Sequence, residues 1–179
     1  MATAKGTTIA VDKYARDAGL WRDNGYHHFR ASLVLFRTGD PFLWFSAAVL
    51  GHLALEMSLK AVLIHYGMIA CDPGKAPNLD NALGLTKDDC VWGHNLVKLA
   101  QKLAEKRKDF DLNTPLACFI VGETGLVTVR RGYEIFDPFF SELRYPHRAE
   151  KVDGLGECHG DLLTQLYVNL EPFLGELAP

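Results

Sequence analysis

Two groups of side chains in this sequence have the types and spacing to do chemistry. The first is His52, Glu56 and Lys60, spaced four apart within PFLWFSAAVLGHLALEMSLKAVLIHYG, residues 41–67. At 100° per residue they fall within an arc of about 80°, so on a helix they form one stripe, shared with Phe45, Val49 and Leu63. Glu56 and Lys60 stand in the favourable i, i+4 order for an ion pair. The second group is Arg144, Tyr145, His147 and Arg148. A histidine titrating near neutrality can act as base or acid on a 2′-hydroxyl, while an arginine stabilises charge on the phosphate. The same residues can also bind a phosphate without cleaving anything. A purely structural alternative has Arg144 pairing with Glu56 at the end of a bundle while Tyr145 and Pro146 shape a turn.

The stripe has two readings of its own. In one it is a polar network that specifies the fold; in the other Glu56, Lys60 and Arg144 converge in a groove that holds a polar ligand. His94 is a further candidate. It stands at a helix start, where Asn95 and free backbone amides offer anion contacts or simply begin the helix. Cys71, Cys90 and His94, or Cys158 and His159, supply soft metal ligands, but none has a paired short spacing, so no metal site is expected. No glycine-rich phosphate loop, nucleophile elbow or HExxH motif is present, and no cofactor is implied.

These residues need a scaffold. At 179 residues, 48% hydrophobic and 23% charged, the chain reads as one globular domain with room for a sizeable core. A net charge of -3 gives no global pull towards nucleic acid. Four cysteines without repeated close spacing, and no secretory signal, point to reduced thiols and a cytoplasmic location. Asp40-Pro41 is an N-cap followed by proline at the first helical turn, and Gly67 can close the helix in a left-handed conformation. The helix between them is apolar almost all round, as befits one surrounded by other helices. It is also long enough to span a bilayer. Mid-span charges, costing roughly 2.5–3.5 kcal/mol each on insertion scales, argue for a buried bundle helix and no membrane.

Around this helix the pattern predicts a long helix over about 9–37, weak near Gly25, or two shorter ones, after a frayed stretch at 1–8. A connecting excursion follows at 68–92, then an amphipathic helix from Gly93-His94 to about Lys108 that buries Leu96, Leu99, Ala100 and Leu103. Residues 116–130 read equally as a hairpin around Gly122-Glu-Thr-Gly125 or as helix and loop. A helix from about Tyr133 must stop at Tyr145, before Pro146. A last helix covers roughly 157–177, with Pro172 able to kink or divide it.

Three segments occur in a telling order: GHLALEMSLKAVLIHYG (51–67), GHNLVKLAQKL (93–103) and FFSELRYPHR (139–148). Together they resemble the HEPN family, whose members carry an alanine- and leucine-rich helix, a GHxLxxL helix start and an arginine-tyrosine-proline helix end. The likeness covers about residues 42–107 and 133–177. It implies an all-α, antiparallel up-and-down bundle of four to five helices, usually a homodimer. HEPN proteins include ribonucleases, antitoxin-paired toxins and non-catalytic nucleotide- or RNA-binding modules. The family's ribonuclease branch places four to six residues between an arginine and a histidine, whereas Arg144 and His147 have two. The reading that follows is a non-catalytic module for nucleotide or RNA, with Glu56, Lys60, His94, Tyr145 and Arg148 as ligand-binding residues. The alternatives are a metal-independent ribonuclease of toxin or defence type using Arg144 and His147, and a structural partner for a separately encoded nucleotidyltransferase.

Overall fold

The structure is a computed structural model that describes residues 16–70, 90–91, 93–143 and 154–177. Among the described residues there are six helical segments and no strand: α1 (Ala18–Phe36), α2 (Pro41–His65), α3 (Leu96–Lys106), α4 (Val129–Phe136), α5 (Phe139–Leu143) and α6 (Cys158–Gly175). The five-residue α5 follows α4 after only Asp137 and Pro138. The two therefore act as one interrupted arm, and the fold is the expected all-α bundle.

Helix α2 is its centre and packs against all five others. Asp40 accepts the Phe42 amide at its start, with Pro41 at the first position. At its end Gly67 has φ +87°, and the Gly67 and Met68 amides bond back to the Ile64 and Leu63 carbonyls. This paired closure satisfies carbonyls that would otherwise be orphaned. Leu55, Leu59 and Leu63 are fully buried, among Phe36 of α1, Phe136 of α4 and Leu162, Leu163 and Leu166 of α6. By length and composition α2 could cross a membrane, yet 78% of its most apolar window is buried within the fold.

The weak point expected at Gly25 is absent: α1 runs unbroken through it. A Cβ there would stand 2.7 Å from Ser58 Oγ and 3.2 Å from the Ala54 carbonyl oxygen. The glycine is where α1 and α2 come closest, and that packing outweighs its poor helix propensity. Two turns further along α1, Ser32 Oγ donates to the Ala47 carbonyl at 2.7 Å, fixing the same crossing.

Helix α3 starts at Leu96, two residues later than expected, because Asn95 is its N-cap and accepts the Lys98 amide at 2.7 Å. Its buried residues are Leu96, Leu99, Ala100 and Leu103, as the periodicity predicted. At roughly 1.5–3 kcal/mol for each large side chain, this face is what holds an eleven-residue helix on the bundle. Helix α4 begins at Val129 rather than near Tyr133, capped by Thr128. Helix α6 continues through Pro172 without dividing.

Residues 114–128 resolve the choice between hairpin and loop. The two legs meet at a single antiparallel bridge, Pro115 with Thr128. The Leu116 amide bonds to the Val127 carbonyl and the Val129 amide to Thr114. Beyond that the segment is irregular, with Leu116, Ile120 and Val127 turned into the core while Phe119, Val121 and Leu126 are exposed. It is a loop folded back on itself and pinned by two backbone bonds.

Candidate functional site

Glu56 is the hub of the polar stripe. It lies on the middle of α2 with only 5% of its side chain exposed. Its Oε1 accepts from Lys60 Nζ at 2.6 Å, one helical turn along. Its Oε2 lies 2.8 Å from His94 Nδ1 and 3.5 Å from His52 Nε2. The i, i+4 spacing that put His52, Glu56 and Lys60 on one stripe thus closes around a single carboxylate. His94 reaches it from the segment before α3, held there because Asn95 and Leu96 are themselves tethered.

That tether is Asp137, in the two-residue gap between α4 and α5. It accepts from the Leu96 amide at 2.5 Å and from Asn95 Nδ2 at 3.0 Å. An acidic side chain supplied by another element thereby occupies the N-terminus of α3, where exposed amides and the helix dipole favour negative charge. Phe140 of α5 stacks on both histidines: its ring centroid is 4.4 Å from that of His94 and 5.4 Å from that of His52. Lys60 is capped from α1, with Nζ 5.3 Å from the centroid of the Trp21 ring. Four elements besides α2 position this cluster.

The electrostatics follow from the contacts. Burial alone would raise the Glu56 carboxyl, but His52, Lys60 and His94 outweigh it and hold it at about 2. Glu56 is therefore ionised at neutral pH and accepts hydrogen bonds only, so the proton in the His94 contact resides on Nδ1. The Phe136 carbonyl accepts from His52 Nδ1 at 2.9 Å and orients the second imidazole. His52 Nε2 is left facing Glu56 without a hydrogen bond of good geometry. His52, Glu56 and Lys60 are buried, whereas 57% of the His94 side chain is exposed. The cluster meets solvent through His94.

Of the residues singled out in the sequence, Glu56, Lys60 and His94 are brought together. Arg144, Tyr145, His147 and Arg148 lie outside the described residues, and so does the expected contact between Arg144 and Glu56. Three contributors were not marked as site residues. Trp21 and Phe140 read as apolar positions of helical stripes, and Asp137 fell inside the helix expected from about Tyr133, which the fold interrupts at Asp137-Pro138. The Asp137-Pro138 pair beside a helix end is a local signal for a capping role, but its target is 41 residues away in sequence. Among the described residues no three His, Cys, Asp or Glu side chains are arranged to hold a metal ion. Comparison with protein-family models, curated proteins and solved structures finds no match to this chain.

Proposed function

We propose that this chain is a HEPN-like binding module that engages nucleotide or RNA without cleaving it, working as a homodimer in the cytoplasm. One observation carries the choice of binding over catalysis: Glu56, the only buried carboxylate of the cluster, is held ionised by three partners of its own fold. A carboxyl held at about 2 is a poor proton acceptor near neutral pH, where an effective general base has its pKa close to the working pH. What such a carboxylate does well is fix the position of groups that meet a ligand, here His94 and, through it, Phe140. The order of the three sequence blocks supplies the HEPN part of the reading and its dimeric expectation.

Titration of the purified protein with a nucleoside triphosphate and with a short single-stranded RNA, followed by NMR shifts, tests this reading. Saturable shifts centred on His94 and Phe140 and weakened in His94→Ala are expected. No saturable binding of either probe refutes the reading. A parallel RNA cleavage assay with metal chelated compares wild type with His147→Ala. Cleavage by wild type that disappears in the variant would replace the binding module with the ribonuclease.

A further inference from the structure

We propose that His94, oriented by Glu56, presents Nε2 as a nucleophilic hydrogen-bond acceptor that receives an O–H or N–H donor of the ligand. This rests on the geometry of the cluster and holds whatever the ligand of the module proves to be. A carboxylate that only accepts sits 2.8 Å from Nδ1, so the ring is committed to the tautomer with Nδ1 protonated and the lone pair on Nε2. Phe140 stacked 4.4 Å away fixes the plane of the ring. No described residue offers Nε2 a polar partner, and more than half of the side chain is open to solvent. A buried carboxylate behind one ring nitrogen fixes the tautomer and orientation of the ring, as it does for histidines that ligate metals.

The surroundings are consistent with that commitment. The charged and titratable groups around the ring are Glu56, His52 and Lys60 of α2 and, through Asn95 and Leu96, Asp137 from the α4–α5 gap. Lys60 is bonded to the other oxygen of Glu56, and His52 Nε2 stands 3.5 Å from Oε2 against 2.8 Å for His94 Nδ1, so His94 makes the shorter contact to that oxygen. The ligand group this selects is a donor, such as a hydroxyl, an amide or an exocyclic amine, rather than a bare acceptor.

Carbethoxylation reads the property directly, because diethyl pyrocarbonate is attacked by a neutral imidazole nitrogen. The reaction would be run on the full chain with limiting reagent at about pH 8, where an ordinary imidazole is neutral, and mapped by mass spectrometry. His94 is expected to react faster than the exposed His27 and His65, and Glu56→Gln to slow it by about tenfold, the lower end of what losing such a supporting partner costs. A rate for His94 at or below that of His65 overturns the proposal, as does a Glu56→Gln variant that reacts at the wild-type rate. If Glu56→Gln does not fold, long-range 15N correlation spectra of the wild-type imidazoles decide the matter. A proton on Nδ1 of His94 supports the proposal, and a proton on Nε2 alone ends it.

Discussion

Replacing Glu56 by glutamine should change how stability depends on pH, and the size of the change follows from the cluster. In the unfolded chain the carboxyl titrates near 4.5; in the fold it is held at about 2. The folded value is depressed, so the unfolded state takes up the proton first as pH falls. The stabilisation is fully present above about 4.5 and drains away as pH drops towards 2. The difference between the two values corresponds to about 3 kcal/mol at neutral pH. Glu56→Gln removes this and also leaves Lys60 buried without its counter-charge, so a loss of about 3–5 kcal/mol at pH 7 is expected. Urea unfolding of both proteins at a series of pH values, compared over the range where both remain folded, measures it. Asp109, Glu123 and Glu176 are also lowered, chiefly by hydrogen bonds from Arg107, Arg131 and Tyr66 respectively, but they are common to both proteins and cancel in the difference. The gap between the two proteins should narrow by about 3 kcal/mol as pH falls from 4.5 to 2. Parallel profiles, or a variant as stable as wild type at pH 7, would refute the account of Glu56 as a compensated buried charge.

Two substitutions away from the cluster test the packing. The Tyr133 ring is fully buried, its hydroxyl has no hydrogen-bond partner among the described residues, and burial pushes its ionisation upward. Tyr133→Phe removes an unsatisfied polar atom and keeps the ring, so a gain of about 1 kcal/mol, seen as a melting temperature higher by about 2–4 °C, is expected; a loss would mean the hydroxyl is bonded. Gly25→Ala should destabilise by about 1–2 kcal/mol in urea unfolding, because contact with Ser58 and Ala54 outweighs the roughly 1 kcal/mol that alanine gains in a helix. A variant more stable than wild type would show that α1 and α2 do not approach as closely as described.

Helix α2 was legible because every local signal agreed: cap, proline, apolar run and closing glycine all mark the same 41–67 span, and the fold uses all of them. Helix α3 was legible from its period alone, since four apolar residues on one face left a single way to bury it. Gly25 was misread for a definite physical reason. A glycine within a helical pattern is either a break or a close contact, and the two are distinguished only by what lies opposite. Here the opposing residue is Ser58, 33 positions away, which no local window contains. The 114–128 segment stayed undecided in sequence for a different reason. Alternation of buried and exposed residues is present, as in a strand, but only one bridge forms, because the partner leg turns away into α4 at Val129.

The site shows the same division between local and long-range information. The stripe His52, Glu56 and Lys60 could be read because its members share one helix, and their spacing alone forces them onto one side of it. The Glu56–Lys60 pair was legible for the same reason, but the third partner was not, because it approaches from another element. His94 reaches the carboxylate only because Asp137 holds the start of α3, and Phe140 of the adjoining α5 stacks behind the ring. A helix-start histidine therefore looks like an anion contact in sequence and becomes, in the fold, the exposed end of a buried charge network. A ligand at His94 would be felt at Glu56, and through it at Lys60 and at Trp21 of α1. The proposed ligand contact and the packing of the core share one carboxylate, so a substitution at Glu56 should register in both.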